Sequence, residues 1–429
     1  MKIPVIGGGL AGSEAAYFLA QHGLSVVLYD MKPKKFTPAH TSEKFGELVC
    51  SNSLKSDDIY GNACGLLKEE MRRLGSLTMQ AAEVARVPAG GALAVDREVF
   101  ASYITEKLRN HPNIEIVEEE VTELPEFGIV ATGPLTSDAL SDAIKRRFGI
   151  LHFFDASAPV VSAESVDYAH AFTQDRYGHG TGDYVNCPMN KAEYEAFWDA
   201  LIHAERAHLH EFEKREIFEG CMPVEVMAAR GKDTLRFGPF KPVGLEFEGV
   251  RPYAVLQLRK ENNAGTSFNL VGCQTNLKFG EQKRVFSMIP ALKNAEFDRY
   301  GVMHRNTYLE SPKCLNADFS SRDNRNLFFA GQLTGVEGYV ESAASGLIAG
   351  YHVLRRTLKK EPIVPPDTTV IGALSRYVAA ENKNFQPMNA NYGVLAGGFE
   401  SVRDKKERKK LLSERALCEI ECFKTQVLG

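Results

Sequence analysis

The chain has 429 residues, of which 44% are hydrophobic and 25% are charged, and its formal net charge is -4. This length predicts two or three folding units and excludes a small module that needs a bound metal to fold. The composition is typical of a globular protein, which excludes a disordered or fibrous chain. The net charge gives no indication of a nucleic-acid partner. It does not exclude one either, because a local basic surface is enough to bind a nucleic acid.

The first elements predict an α/β architecture. Residues 3–6 form an apolar strand that runs into glycines and a helical pattern, and residues 25–29 predict a second strand. Two strands joined through a helix lie parallel, with a right-handed crossover. Further patterns predict, in chain order, helices over 66–82 and 100–108 and strands over 114–120 and 127–130.

The composition then changes near residue 186, which predicts an inserted α+β domain. Within it we expect an acidic helix over 191–218 and strands over 253–258 and 267–271. An apolar strand over 327–330 and a small-residue helix over 343–351 indicate a return to the first fold. The expected division is therefore 1–185 and 313–429 for a nucleotide-binding domain and 186–312 for a substrate domain.

The C-terminal segment is basic. Residues 403–415 hold seven Lys or Arg and three acidic residues, which predicts an exposed basic helix or tail. Such a segment can bind phosphates, although a solvated helix is the default interpretation.

No membrane or metal site is expected. The sequence has no run of about 18 or more apolar residues and no signal-peptide pattern, so we expect a cytoplasmic protein with no membrane contact. The eight cysteines include no C-x-x-C pair, so neither a zinc site nor a disulfide scaffold is predicted. His203, His208 and His210 lie on the predicted acidic helix without a known metal-ligand spacing.

A G-x-G-x-x-G motif lies between the first strand and helix. Gly7 permits the turn, Gly9 lets the backbone approach a pyrophosphate, and Gly12 allows the helix to pack on the strand. Asp30 ends the second strand, where its carboxylate can accept a hydrogen bond from a ribose hydroxyl. Together these residues predict an adenine dinucleotide site.

Two later segments favour FAD over NAD. Residues 131–133 follow a strand, and residues 328–332 lead into a helix whose N-terminus can hold the pyrimidine edge of a reduced flavin. Both segments resemble those of two-part FAD proteins of the glutathione-reductase-like superfamily, which implies a Rossmann-like FAD-binding domain of that type. The cofactor-binding candidates are Gly7, Gly8, Gly9, Leu10, Ala11, Gly12, Asp30, Gly133, Gly331, Gln332 and Tyr339.

Two cysteines have unusual neighbours. Cys50 lies in a polar stretch, and Cys221 precedes several cations, including Arg230 and Arg236. Nearby cations favour the nucleophilic thiolate. A small buried hydrophobic residue is the alternative interpretation for each thiol, and the residues alone do not decide between the two.

Residues 230–241 combine cations with aromatic rings. Arg230, Arg236 and Lys241 can neutralise phosphates, and Phe237 and Phe240 can stack on an unpaired base. A surface hairpin with solvated basic side chains explains the same pattern equally well.

Several blocks of sequence resemble one family. The segments GGGLAGSEAA, ELVCSNSLKSD, LLKEEMRRLGSL, EGCMPVEVMAARGKDTLRFGPFKPVGL and FFAGQLTGVEGYVESAASGLIAG are similar to those of the bacterial folate/FAD-dependent tRNA (uracil-5-)-methyltransferases. The blocks extend from residue 5 to about residue 350. The block around Cys221 lies outside the generic flavin motifs, which makes the resemblance specific.

The resemblance implies an enzyme that makes ribothymidine in the T loop of tRNA. The carbon comes from 5,10-methylenetetrahydrofolate, reduced FAD acts as carrier and reductant, and NADH or NADPH reduces the flavin. Cys221 is expected to add to uracil C6, because uracil C5 is a poor nucleophile until a thiolate creates an enolate. Cys50 is expected to act beside the flavin, by assisting proton removal or protecting the carbon unit.

The resemblance also suggests substrate contacts. His304 and Asn306 are expected near the folate, with an ordinary polar strand as the alternative. Tyr339 is expected beside the flavin ring, with a buried tyrosine at the start of a helix as the alternative. Arg230, Arg236 and Lys241 are the candidates for binding tRNA, whose target base must leave its stack.

Two other functions remain open from the sequence. One is a flavin oxidoreductase that acts on a small molecule, with structural or redox-active cysteines. The other is a non-catalytic tRNA-binding flavoprotein similar to the related carboxymethylaminomethyl-modification protein. The sequence leaves the oligomeric state, the general base and the choice of NADH or NADPH unresolved.

Overall fold

The structure is a computed structural model that describes residues 2–37, 39–176, 182–207 and 222–428. Its strands are β1 (Ile3–Ile6), β2 (Val26–Asp30), β3 (Ser53–Ser56), β4 (Arg86–Val87), β5 (Ala92–Val95), β6 (Ile114–Glu118), β7 (Gly128–Val130), β8 (Leu151–Ala156), β9 (Val160–Ser162), β10 (Phe172–Thr173), β11 (Tyr184–Met189), β12 (Ala254–Lys260), β13 (Ser267–Leu270), β14 (Phe297–Arg299), β15 (Met303–Tyr308) and β16 (Leu327–Phe329). Its helices are α1 (Leu10–Gln21), α2 (Ala63–Arg73), α3 (Leu77–Val84), α4 (Arg97–Arg109), α5 (Asp138–Phe148), α6 (Lys191–Ile202), α7 (Val224–Ala229), α8 (Thr234–Phe237), α9 (Phe279–Phe286), α10 (Ser311–Cys314), α11 (Tyr339–Thr357), α12 (Val370–Ala379) and α13 (Lys405–Leu428).

A parallel sheet of five strands forms the first unit, in the order β16-β7-β1-β2-β6. Every neighbouring pair in it is parallel. Short, nearly continuous apolar strands suit such a sheet because helices bury both of its faces. The predicted α/β class and the Rossmann-like arrangement of the first domain are therefore confirmed.

Helices α1 and α11 pack closely through small residues. A Cβ atom added to Gly346 would lie 2.1 Å from the backbone oxygen of Ala11, and one added to Gly350 would lie 3.2 Å from Cα of Ala15. The absence of side chains at these two positions lets the helices approach. This contact brings the N-terminus of α11 beside the N-terminus of α1.

The second unit is built on an antiparallel sheet of six strands in the order β10-β11-β12-β13-β9-β14. It has its own core, which includes Tyr194, Phe197 and Phe286. The sheet takes β9 and β10 from before residue 186, and β11 crosses that position. The second sheet therefore begins upstream of the boundary that the change in composition suggested.

Asn52 joins the two units just before β3. Its side-chain amide donates to the carbonyl oxygen of Val95 at 3.1 Å and to that of Lys260 at 2.8 Å. Val95 ends β5 in the first unit and Lys260 ends β12 in the second, so a buried amide fixes the segment that precedes β3 between them.

Two predicted helices differ from the structure. The pattern over 66–82 forms two helices, because Gly75 adopts a φ of 81° and Ser76 caps α3 by accepting from the Met79 N–H. The acidic helix predicted over 191–218 ends at Ile202, and residues 208–221 lie outside the described part of the chain.

The basic C-terminal segment is a helix that packs on the first unit. Its apolar side, including Leu417, Ile420 and Phe423, is buried in the first core. Lys405 and Lys406 are exposed at its start.

No helix in the described ranges is long and apolar enough to cross a membrane.

Candidate active site

The glycine motif leaves its backbone open at one position. A Cβ atom on Gly7, whose φ is 103°, would lie 2.5 Å from the Ala131 oxygen, and one on Gly12 would lie 1.8 Å from the Gly7 oxygen. A Cβ on Gly9 would meet no atom within 4 Å. Gly9 also precedes α1 without a side-chain cap, so the first N–H groups of the helix face a space that suits a pyrophosphate.

Asp30 orders this turn as well as lining the cleft beside it. Its carboxylate accepts from the Gly8 N–H at 2.7 Å and from the Lys32 N–H at 2.8 Å. A carboxylate offers about four acceptor positions, so two remain for a ribose hydroxyl. The structure thus places Asp30 where the sequence motif requires it and adds a second, structural task.

Two adjoining clefts, of about 650 and 790 Å³, follow the motif. Both contain Gly9 and Thr132 in their walls, so they form one elongated cleft. Among the predicted residues, the first cleft is lined by Gly7, Gly8, Gly9 and Asp30, and the second by Gly9, Leu10, Ala11, Cys50, Gly133, Asn306, Gly331, Gln332 and Tyr339. Gly12 lies behind the turn against Gly7. An elongated cleft over an uncapped helix fits the expected FAD.

Cys50 and Tyr339 meet in the second cleft. The Tyr339 oxygen accepts from the N–H of Cys50 at 2.7 Å and from that of Ser51 at 3.2 Å, and it lies 3.0 Å from the Cys50 sulfur. Because two N–H groups occupy the two lone pairs of the phenol oxygen, its proton is directed at the sulfur. Tyr339 therefore donates to Cys50.

This hydrogen bond has an electrostatic consequence. Burial, and then the neighbouring Cys50, raise the pKa of the Tyr339 phenol well above its usual value, so Tyr339 keeps its proton. A donor directed at sulfur favours the thiolate form of a cysteine. The chemistry that this pair can perform is proton transfer at Cys50.

Two of the predicted side chains, those of Cys221 and His304, are outside the described part of the chain. Cys221 lies outside the described residues, which resume at Met222, and α7 begins two residues later at Val224. The side chain of His304 is likewise outside the description, although its backbone pairs with Asp155 between β15 and β8. Asn306, two residues further on, is buried in the wall of the second cleft.

The cations predicted to bind RNA do not line either cleft. Arg236 donates to the Tyr253 carbonyl at 2.9 Å, pairs with Asp233 at 2.6 Å and lies over the Tyr253 ring. Arg230 and Lys241 lie on the same segment, which forms α7, α8 and connecting turns instead of a hairpin. Phe240 is buried, whereas Phe237 is 83% exposed and presents an aromatic face to solvent.

Three arginines near Cys50 were missed by sequence reasoning. Arg97 opens α4, Arg259 lies in β12 and Arg299 ends β14, and each donates to the segment 48–52. The sequence could have indicated Arg97 alone. An arginine at the first position of a helix interacts unfavourably with the helix dipole, so its presence there indicates another interaction that stabilises it.

The described residues contain no group of His, Cys, Asp or Glu side chains arranged to hold a metal ion. Within them, His203 is exposed and bonds the Asp199 carbonyl of its own helix at 2.8 Å. His208 and His210 are outside the described residues.

Known proteins resemble most or all of this chain. The family model "GIDA: Glucose inhibited division protein A" matches residues 2–361. A methylenetetrahydrofolate–tRNA-(uracil-5-)-methyltransferase TrmFO of Lactobacillus delbrueckii subsp. bulgaricus is 54% identical over 435 residues, which cover 100% of this chain and 99% of the relative. The protein of the same name from Acetivibrio thermocellus is 57% identical over 422 residues, or 97% of each chain.

Solved structures agree on the fold. Aquifex aeolicus GidA superimposes with a TM-score of 0.74 at 17% identity, over 99% of this chain and 73% of the GidA chain. At that identity the likeness concerns the fold alone.

Proposed function

Because the chain belongs to the family of methylenetetrahydrofolate–tRNA-(uracil-5-)-methyltransferases, we infer that it methylates C5 of a T-loop uridine in tRNA. It uses 5,10-methylenetetrahydrofolate as the carbon donor and FAD as the flavin cofactor. The observation in the structure that carries this function is the Cys50 thiol, which lies in the cleft beside the glycine motif and accepts from Tyr339.

The residues of the elongated cleft suit FAD. The N–H groups at the start of α1 would hold the pyrophosphate and Asp30 would accept from a ribose hydroxyl, while Gly331 and Gln332 line the second cleft with Cys50. When bound there, reduced FAD supplies electrons and relays the one-carbon unit. A methylene group needs two electrons to become a methyl group, and we propose NADH or NADPH as their source.

Cys221 is the proposed nucleophile. Its thiolate adds to uracil C6, which places negative charge on C5 and O4 and makes C5 able to attack an electrophilic carbon. Cys50 is the proposed acceptor of the C5 proton, and the Tyr339 hydroxyl group, 3.0 Å from its sulfur, supports the thiolate that this step requires. Loss of that proton lets the bond from Cys221 to C6 break.

The substrates are proposed to approach from the second unit. Exposed Phe237 offers a face on which an unstacked base can rest, and Arg230, Arg236 and Lys241 supply cations on the same segment.

Asn306 and His304 are proposed to contact the folate, because Asn306 lines the cleft beside Cys50. A tRNA substrate also implies work in the cytoplasm.

A single-turnover assay tests this function. FAD-loaded protein is mixed with T-loop RNA, carbon-labelled methylenetetrahydrofolate and NADPH, and label in the RNA is counted. Cys221→Ala is expected to abolish labelling and to prevent covalent trapping by RNA that contains 5-fluorouracil. Cys418→Ala, which changes an exposed thiol on α13, is the matched control. Reoxidation of the flavin without labelled RNA in the unaltered protein would favour a small-molecule oxidoreductase instead.

A further inference from the structure

Two arginines from different units share one backbone oxygen next to Cys50. The carbonyl of Val49 accepts from Arg97 at 3.1 Å and from Arg299 at 3.3 Å. Arg97 also donates to the carbonyl of Leu48. Since Arg97 opens α4 and Arg299 ends an edge strand of the second sheet, the residue before Cys50 is held from both sides.

The two arginines differ in their charge partners. Arg97 pairs with Glu261 at 2.6 Å, and both side chains are largely buried. Nε and Nη2 of Arg299 are buried and have no hydrogen-bond partner among the described residues. Burial, and then the nearby Arg97, lower the pKa of the Arg299 guanidinium, yet a guanidinium remains charged at neutral pH.

The charges around Cys50 do not cancel. The charged and titratable groups that surround it from its own segment, the first unit and the second sheet are Glu47, His40, Arg97, Tyr339, Arg259, Glu261 and Arg299. Glu47 lies 3.7 Å from Lys32 and Glu261 is paired with Arg97. Arg259 and Arg299 are therefore left in excess, and both donate to the segment that carries the thiol.

An unpaired buried cation is costly to a fold, so its retention needs a compensating partner. We propose that Arg299 is a positioning residue for methyl transfer, whose charge holds the Cys50 sulfur as a thiolate. In the step that this serves, the C5–H bond of uracil breaks, an S–H bond forms on Cys50, and the electron pair remains in the pyrimidine. The inference rests on the proposed role of Cys50.

Alkylation of the FAD-loaded protein by iodoacetamide tests this without methyl transfer. Modification of each cysteine is followed by peptide mass spectrometry from pH 5.5 to 9.5. We expect the midpoint for Cys50 to lie about one pH unit or more below that of exposed Cys418 in the same sample. Equal midpoints in the unaltered protein would overturn the proposal, whatever the variants do.

The variants separate charge from shape. Arg299→Gln is expected to slow alkylation of Cys50 at pH 7 by about tenfold, because the thiolate fraction falls. Arg299→Lys keeps the charge and is expected to retain the midpoint of the unaltered protein. Arg284→Gln, which removes a surface pair with Glu281 on α9, is the matched control. An unchanged midpoint in Arg299→Gln, or equal slowing in Arg299→Lys, contradicts the proposal.

This readout is independent of the methyltransferase assay. If the unaltered protein fails to label RNA, the proposed function fails while the alkylation midpoints still report on Arg299. If RNA is labelled and the midpoints do not move, the function stands and the role of Arg299 is rejected.

Discussion

The Tyr339 oxygen lies 3.0 Å from the sulfur of Cys50, although 289 positions separate the two residues in the chain. The same oxygen accepts the backbone N–H groups of Cys50 and Ser51. A single phenol thus fixes the position of a thiol in the elongated cleft.

Tyr339→Phe should lower the rate of methyl transfer by about tenfold or more. It removes a hydrogen bond to a charged sulfur, an interaction of about 1.5–3 kcal/mol, together with an acceptor for two N–H groups. The measurement is the single-turnover rate as a function of pH, whose acid limb should move to higher pH. Tyr351→Phe changes a buried tyrosine of the same helix that lines neither cleft, and it should leave the pH profile in place. An unshifted acid limb in Tyr339→Phe would contradict the assignment of the donor.

Gly9→Ala should weaken FAD binding, whereas Gly12→Ala should lower the stability of the fold. A Cβ on Gly9 meets no protein atom within 4 Å, and its φ of -71° suits alanine, so the apoprotein should keep its stability. The methyl group would occupy the pyrophosphate space, and FAD affinity should fall by at least about tenfold, or ~1.4 kcal/mol.

Gly12→Ala instead puts a Cβ 1.8 Å from the Gly7 oxygen, which should lower the free energy of unfolding by about 1–3 kcal/mol. FAD fluorescence titration and urea unfolding of the apoproteins distinguish the two. Equal loss of stability in both variants would show that the space at Gly9 is not reserved for a ligand.

Stability should depend on the protonation of Glu70. Its carboxyl accepts from the N–H groups of Val370 and Ile371 at the start of α12, and burial raises its pKa to about 8. Between the usual pKa of 4.5 and 8, the native state holds a proton that the unfolded chain releases. Unfolding free energy should therefore fall as pH rises through that window, by up to ~1.4 kcal/mol per pH unit.

Glu70→Gln should remove this slope. Between pH 5 and pH 8, the free energy of unfolding of the variant, measured with urea, should therefore rise relative to that of the unaltered protein. Glu69→Gln, which breaks a surface pair with Arg73 on the same helix, controls for the loss of an acid. A parallel pH dependence in Glu70→Gln and the unaltered protein would refute the linkage.

The basic start of α13 should contribute to tRNA affinity if it touches phosphates. Replacing the exposed Lys405, Lys406 and Lys410 by Gln should reduce the slope of log affinity against log salt by about 0.9 for each lost phosphate contact. Lys359→Gln with Lys360→Gln alters exposed lysines after α11 and serves as the control. An unchanged slope would leave α13 with a structural role only.

The glycine motif was predictable because its chemistry is local. Gly7, Gly9 and Gly12 act through turns and contacts within a few residues or one strand away, and the sequence spacing encodes these directly. The pairing of Cys50 with Tyr339 depends on how α11 packs on α1, which no short pattern encodes. The proposed role of Arg299 could not be predicted for a similar reason, because it depends on a contact with the Val49 carbonyl, which Arg299 shares with Arg97 of the other unit.

The parallel sheet imposes an order of assembly on the emerging polypeptide. Strand β7 pairs with β1 early in the chain, but its other neighbour, β16, is made only after the whole six-stranded sheet. During synthesis, β7 therefore stays an open edge, exposed to pairing with other chains, for almost 200 residues, as counted from β7 (Gly128–Val130) to β16 (Leu327–Phe329). Because α11 begins at Tyr339, the ribosome must make the first 339 of the 429 residues before the cleft has its second wall. Cofactor capture is thus a late event in the biogenesis of this protein.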